Sequence, residues 1–461
     1  MKKEKSINKM GTMPINRLLL STGIPMILSM VLQAVYNIVD SAFVSNIKGT
    51  GEAALNALTL AFPVQMLMIA IGVGTGVGTN VLVAKCLGQK EPEKASQTTG
   101  NALFLSIIIY LVFLIFGIFG VRIYITSQTS NPEILEMAVD YLRICCCASI
   151  GIAFFPIFEK LLQATGRSIL STTAQIAGAV INIILDPIFI YGLFGLPKTG
   201  VKGAAYATII GQIASFLLAW LFHLKHNKEI KNGIRYLKPS ARIIGQIYAI
   251  GFPAIIAQAL ISVMTYGLNI ILVKINESAV TAYGLFYKIQ QFILFAAFGL
   301  RDAITPIISF NHGMRCKSRI KDCIKYGMTY TLFIMIAGLL FLEIFARPFS
   351  AAFGLSGQTQ ELCISAMRII AISFIFAGAN ITFQGIFQSL DRGFESLILS
   401  TCRQLIFVLP VAWGFSLIAR HSFNYTWLVW TTFLIAEFIT FLIGCIFMKN
   451  IKKKEIDILE N

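Results

Sequence analysis

Gly23-Ile24-Pro25 opens a long apolar run near the start of the chain, and Gly251-Phe252-Pro253 opens a matching run in its second half. The echo continues downstream. Tyr141-Leu142-Arg143-Ile144 is answered by Ala366-Met367-Arg368-Ile369, and Gln163, four residues before Arg167, by Gln388, four before Arg392. Ile169-Leu170-Ser171-Thr172 recurs unchanged as Ile398-Leu399-Ser400-Thr401. Soluble solenoids repeat every few dozen residues; here the repeating unit is roughly half of the chain. Many secondary transporters are built from two homologous halves rich in membrane-length segments, with the substrate path between the halves.

Composition agrees with a membrane environment. Hydrophobic residues make up 56% and charged residues 13% of the chain, and the mean hydropathy is +0.75, outside the range of soluble globular domains. Apolar runs of about 20 residues or more recur, long enough to cross a hydrocarbon core. They predict an all-α polytopic membrane protein of twelve transmembrane helices in two pseudo-symmetric six-helix bundles. The first-half helices fall at 17–45, 53–83, 99–125, 135–165, 168–192 and 201–224; those of the second half at 243–275, 279–309, 323–346, 361–390, 395–419 and 425–448. A β-barrel would show short alternating strands instead. The first run lacks a small-residue cleavage site and leads into a repeat unit, so it reads as a retained helix.

The net charge of +16 raises nucleic acid as a partner, but the distribution argues for orientation. With the N-terminus inside, roughly two dozen Lys and Arg fall on inner segments against about seven outside, among them Lys2, Lys3, Lys5, Lys90, Lys94 and Lys452. Both termini are therefore expected in the cytoplasm, the excess charge meets anionic lipid headgroups, and no nucleic-acid partner is expected. The domain reading is a cytoplasmic segment 1–16, a six-helix lobe 17–224, a basic linker 225–242, a second lobe 243–448 and a tail 449–461. The linker is expected to be accessible to proteases. The outer loops (Thr126 to Pro132, Leu196 to Val201, Asn276 to Ser278) are too short for a folded domain.

Cysteine and histidine offer no chemistry. Cys145, Cys146 and Cys147 are consecutive in an apolar helix, no CxxC pair exists, and the four His residues show no ligand spacing. The alternating Gly72, Gly74, Gly76 and Gly78 suit close helix packing; a phosphate loop needs a preceding strand.

A carboxylate near the bilayer centre costs about 2.5–3.5 kcal/mol on insertion scales, so each is a functional candidate. The firmest are Asp40 in the first helix and Asp186 in the fifth, followed by Glu159 and Glu437. Asp302 adjoins Arg301 as a candidate pair, and Glu343 is placed to snorkel. Asn182 and Asp186 lie one turn apart on one face. Pro187 removes a backbone donor and displaces the Ile183 carbonyl, which in a membrane needs another partner. A carboxylate, a carboxamide and a loosened carbonyl make a site for a proton or a hard cation such as sodium. Glu159 either pairs with the adjacent Lys160 or borders a substrate path.

With Tyr36-Asn37-Ile38-Val39-Asp40, Asn182 to Pro187, and Gly203-Ala204-Ala205-Tyr206-Ala207-Thr208 quoted, the chain resembles the multidrug and toxic compound extrusion (MATE) family, in its bacterial DinF- and MepA-like branch. The likeness runs over essentially the whole chain. It implies that Asp40, Asn182, Asp186 and Thr208 match the family's cation-coupling site and would be the ligands of sodium if sodium is used. It also implies a multi-pass protein of the bacterial plasma (inner) membrane that exports organic cations and drugs by alternating access in exchange for protons or sodium ions. Antibiotic resistance is the expected phenotype. No cofactor beyond the coupling ion, no enzymatic activity and a monomeric state are expected. Some members place coupling carboxylates in the seventh and tenth helices. Here those helices lack a central acid, and Gln384 stands where Glu159 stands in the first repeat, which moves the coupling site to the first half. Tyr36, Glu159, Gln163 and Gln384 are left as substrate-path or structural residues. The competing reading is a lipid-linked saccharide flippase of the same broad superfamily, which would favour extra helices and membrane arginines over the membrane acids found here.

Overall fold

The structure is a computed structural model that describes residues 8–47, 51–352, 355–421 and 425–459. The side chains of Asn37, Ile38, Ser41, Ser45, Glu52 and Ala352 also lie outside the description. So do Lys2, Lys3 and Lys5 of the N-terminal segment, and the Asn37 of the first-helix motif is not available to the site described below.

No strand occurs among the described residues. Ten helices are long and apolar enough to cross a bilayer, and two bent helix pairs bring the spans to twelve. The first six are α1 (Ile15–Ser45), α2 (Gly51–Gly88), α3 (Pro92–Ile115, continuing to Thr126), α4 (Pro132–Cys147 and Ile150–Ala164), α5 (Ser168–Tyr191) and α6 (Val201–His226). The second six are α7 (Ala241–Val273), α8 (Glu277–Gly313), α9 (Lys317–Ala352), α10 (Gly357–Ala371 and Phe374–Ser389), α11 (Gly393–Thr401, continuing to Ala419) and α12 (Trp427–Ile451).

Two helices drawn as continuous from their apolar runs are bent at matching repeat positions, α4 by 47° and α10 by 52°. Each break carries a serine, Ser149 and Ser373. The Ser373 hydroxyl donates to the Ile370 carbonyl at 2.7 Å, a local bond that competes with the helix ladder and favours a bend. Hydropathy does not report such a break, because both halves are equally apolar. The π turns Phe116–Gly120 and Cys402–Ile406 in α3 and α11 escape it for the same reason.

The chain packs as two compact units, Leu28–Ile255 and Lys9–Ile27 with Ile256–Asn461. The units therefore exchange the opening segments of α1 and α7, and each helix changes unit two residues beyond the proline of its GxP motif. Glycine contacts explain the allegiance. In the first unit a Cβ on Gly78 would lie 2.1 Å from the Ile247 carbonyl oxygen, and one on Gly74 would lie 2.7 Å from that of Gly251. Gly72 and Gly76 of the same helix face α4, 3.1 Å from the Ile152 oxygen and 3.0 Å from the Pro156 oxygen. The alternating glycines thus serve two packing faces at once, as small residues do where helices approach closely. In the second unit Gly299 of α8 takes the same role, with its Cβ position 2.7 Å from the Ile27 Cα.

Residues 225–242, set down from composition as a linker, are docked on the first unit. The Lys231 N–H donates to Ser96 Oγ at 2.8 Å and the Ser240 N–H to Asn101 Oδ1 at 2.7 Å. Tyr236 is buried, and its hydroxyl donates to Glu93 Oε1 at 2.8 Å. Arg167, in the turn between α4 and α5, meets Glu229 at 2.8 Å and donates to Asn227 at 3.1 Å. The second unit mirrors this clasp. Arg392, the repeat equivalent of Arg167, meets Glu455 at 2.5 Å in the segment that follows α12. Asp457 beside it lies 3.2 Å from Lys321, and the hydrogen bond from Lys321 holds its carboxyl below the usual carboxylate range. Hydrogen bonds and ion pairs to residues distant in sequence, which a run of Lys and polar residues does not announce, hold both segments against the helices.

Removing the Tyr236 side chain forfeits burial worth about 1.5 kcal/mol or more, so Tyr236→Ala is expected to raise tryptic cleavage at Lys231 and Arg235 about tenfold over wild type. Time-resolved limited proteolysis of the purified protein reads this directly, and equal cleavage rates would show that the segment is already free.

Candidate functional site

The site is built on the hairpin of α5 and α6. α5 ends at Gly192, whose φ of 73° is one that glycine adopts without strain. The Thr199 and Gly200 N–H groups then return to the Phe189 and Ile190 carbonyls at 3.1 and 3.2 Å. Lower down, Gly178 and Gly211 cross back to back. A Cβ on Gly211 would lie 2.7 Å from the Gly178 carbonyl oxygen and 3.0 Å from the Asn182 Cβ. This close crossing lets Asn182 and Asp186 of α5 face Thr208 of α6.

Asp186 is wholly buried, with Asn182 at 2% and Thr208 at 5% exposure. The Asn182 carboxamide is satisfied when Nδ2 donates to Asp186 Oδ2 at 3.3 Å and Oδ1 accepts from the Thr208 N–H at 3.1 Å. Asp40 of α1 faces the pair, its carboxyl hydrogen-bonded to that of Asp186. The other Asp40 oxygen, Oδ1, is buried without a hydrogen-bond partner among the described residues, an acceptor left for a bound cation or a water. The Tyr36 hydroxyl reaches Thr208. Tyr191 locks the end of α1 onto α5, its hydroxyl donating to the Phe43 carbonyl at 2.8 Å.

The structure thus brings Tyr36, Asp40, Asn182, Asp186 and Thr208 together. It also adds Gln65 of α2, which composition did not single out, donating to the Tyr141 hydroxyl at 3.1 Å and within 3.6 Å of Cys145 Sγ. Only its position inside an apolar helix marked it in advance. No group of three or more His, Cys, Asp or Glu suited to a metal occurs among the described residues. The oxygens of Asp40, Asp186, Asn182 and Thr208 nonetheless suit a proton or a hard monovalent cation, which needs oxygen ligands of low total charge.

The remaining sequence candidates have other partners. Gln163 donates to Glu159 at 2.9 Å one turn away in α4. Gln384 donates to the Ser400 hydroxyl at 2.8 Å, tying α10 to α11. Asp302 accepts from Arg301 at 2.8 and 3.0 Å, and the exposed Glu343 meets Arg368 at 3.5 Å. Glu437 is held by a residue that the apolar pattern concealed. Arg403, on the π turn of α11 and only 7% exposed, meets its carboxylate at 2.5 Å, and Asn380 donates to it at 2.8 Å. The contrast of membrane acids with membrane arginines needs this correction: spanning helices carry both Arg301 and Arg403, each neutralised by a carboxylate.

Comparison with known proteins follows the same lines. The family model MatE matches residues 25–188 and 253–413. Multidrug export protein MepA of Staphylococcus aureus is 25% identical over 434 residues, 92% of this chain and 91% of that protein. MepA of Staphylococcus haemolyticus is 23% identical over 415 residues, 90% and 89% of the two chains. Among solved structures, an outward-facing multidrug resistance MATE family transporter of the MOP superfamily superposes with a TM-score of 0.89 at 25% identity, covering 98% of this chain and all of that one. A MOP superfamily transporter from Pyrococcus furiosus, whose binding pocket is described as of reversed polarity, superposes at 0.88 with 25% identity and the same coverage.

A methyl group at Gly211 must push α5 away from α6, and overpacking of this kind costs about 1–3 kcal/mol. Gly211→Ala is expected to lower the thermal melting temperature of the detergent-solubilised protein, whereas Gly414→Ala, with nothing within 4 Å of its Cβ position, leaves it unchanged. Equal melting temperatures for the two variants would contradict the crossing described here.

Proposed function

Because the chain belongs to the MatE family, a family of multidrug efflux transporters, we propose that it is a secondary active antiporter. It exports organic cations by alternating access while protons or sodium ions move inward. The observation that carries this reading is the group of buried Asn182, Asp186 and Thr208 with the partly buried Asp40, two membrane carboxylates with an unsatisfied acceptor and no basic hydrogen-bond partner among the described residues. One charge moving inward through about 100 mV releases about 2.3 kcal/mol, which offsets the equal cost of moving one organic cation outward, so net export draws on the ion's concentration gradient or on more than one ion per drug.

In this reading the carboxyl pair is the coupling element. A proton shared by Asp40 and Asp186 holds the end of α1 against α5; its loss places two like charges side by side in a low dielectric, where they repel strongly. Loading and unloading therefore change the strain on α1. A sodium ion would use the same oxygens and compete with the proton. Large, mostly apolar cations suit a transporter rich in Phe and Met, through aromatic faces and polarizable thioethers. The exporter names of the staphylococcal relatives support this substrate class. A lipid-linked saccharide flippase is less favoured, because Arg301 and Arg403 are each held by a carboxylate and leave no free cationic pair for a pyrophosphate. We place both termini inside on the strength of the charge asymmetry, and the protein in the plasma membrane of a bacterium by its likeness to the staphylococcal exporters.

Asp186→Asn keeps shape and removes the titratable charge, so it is expected to lower gradient-driven efflux about tenfold or more while insertion is preserved; Glu159→Gln does less harm. Dye efflux from vesicles under separately imposed proton and sodium gradients measures both. A sodium response that survives Thr208→Ala and Asp40→Asn would place the ion elsewhere. The topology is checked by a cysteine introduced at Asn232, in the exposed part of the docked segment. It is expected to stay unlabelled by an impermeant thiol reagent added to intact cells, and labelling from outside would invert the orientation.

A further inference from the structure

Asp186 lies near one end of α5 and Ser168 begins the other. Their eighteen-residue separation is about 27 Å at 1.5 Å per residue, close to the thickness of the hydrocarbon core. A cation bound at the carboxyl pair and released at the opposite face must cover most of that distance.

α5 carries a polar line along it. At 3.6 residues per turn, positions 168, 172, 175, 182 and 186 fall within about 40° either side of one line. These five are polar, Ser168, Thr172, Gln175, Asn182 and Asp186; Ala179 interrupts the line, and Ser171 and Thr173 lie off it. α1 presents Ser29, Gln33, Tyr36 and Asp40 with the same periodicity. The two lines meet. The Ser29 hydroxyl donates to Gln175 Oε1, Gln175 Nε2 donates to Gln33 Oε1 at 3.1 Å, and Asp40 bonds Asp186 at the far end. Between Gln175 and Asn182 the line passes Ala179, and the Ser215 hydroxyl of α6 packs against the adjacent Gly178.

The inner end of the line is unsatisfied. Thr172 Oγ1 and Ser168 Oγ are buried, at 6% and 2% exposure, with no hydrogen-bond partner among the described residues. A helical threonine ordinarily donates to the carbonyl four residues back, as Thr75, Thr79 and Thr99 do in this protein. Thr172 does not, and keeps both donor and acceptor capacity. In a membrane interior such groups call for water or an ion as partner.

We propose that this face shared by α1 and α5 is the release route of the coupling cation, leading from Asp40 and Asp186 through Asn182, Gln175 and Thr172 to Ser168. The inference rests on the coupling role assigned above to the carboxyl pair. Hydroxyls and amides one helical turn apart replace part of the cation's hydration shell at each step; a proton moves by hopping through the water they hold. No covalent chemistry is involved. Thr172 acts on passage and does not bind the drug.

The test uses the full-length protein in proteoliposomes with ethidium as substrate, comparing wild type, Thr172→Val, Thr172→Ser and Asp186→Asn. Two rates are measured for each. One is transport driven by whichever ion gradient drives the wild type; the other is ethidium–ethidium exchange with identical ion composition on both sides, which needs no net ion release. The valine variant, isosteric but without the hydroxyl, is expected to lose about tenfold in the driven rate, the weight of one hydrogen bond to the passing cation or its water, with exchange unchanged. The serine variant restores the driven rate. Driven transport by Thr172→Val at the wild-type rate overturns the route, as does a parallel fall in exchange, which would mark a structural role. If Asp186→Asn keeps its driven rate, the coupling reading itself fails; if Asp186→Asn loses it and Thr172→Val does not, the route alone is wrong.

Discussion

Hydrocarbon offers no partner to a polar group, so every polar side chain in these helices must find one inside the protein. Asp186 is the sharpest case. It is wholly buried, and its position is tolerable only because Asn182 and Asp40 both reach it. That arrangement in turn requires α5 and α6 to approach more closely than side chains normally allow. Gly178 and Gly211 make the approach possible, and a methyl group on either would collide with the other helix. That one backbone contact brings Thr208 of α6 against Asn182 of α5.

The same constraint is solved differently in the second unit. Glu437 is neutralised by Arg403 and further bonded by Asn380, and Asp302 by Arg301. A buried ion pair of this kind is costly to break, because removing one partner strands the other charge. An ion pair complete with its own countercharge has little capacity to take up a cation, whereas two carboxyls facing each other have it. The two halves share sequence echoes and architecture, and their buried charges are satisfied in different ways.

Close glycine contacts also decide which unit each helix segment joins. The opening segments of α1 and α7 pack against Gly299 in one case and Gly74 and Gly78 in the other, so the contact units exchange the beginnings of the sequence repeats. At the membrane surface, the Arg167–Glu229 and Arg392–Glu455 pairs are exposed enough that each contributes about 1 kcal/mol or less. Their placement at equivalent repeat positions still shows that the segment after the last helix of each half is held by its own unit.

Hydropathy and repetition were legible without coordinates because each is a property of residues along the chain. They determined twelve spans, two related halves, the family, and the four oxygen-bearing residues Asp40, Asn182, Asp186 and Thr208 as a candidate set. Asn182 and Asp186 were recognisable as neighbours because helical periodicity places them one turn apart. Their meeting with Asp40 and Thr208 was decided by tertiary packing across three helices, which no local period encodes. The bends at Ser149 and Ser373, the burial of Arg403 beside Glu437, and the docking of residues 225–242 belong to the same class. Each turns on a hydrogen bond or contact with a residue distant in sequence, or on a local bond too weak to register in the apolar pattern. Sequence by itself determined which groups had to be satisfied within the membrane; only the tertiary structure decided which partner satisfied each, because hydrophobicity selects burial and not the direction in which a side chain points.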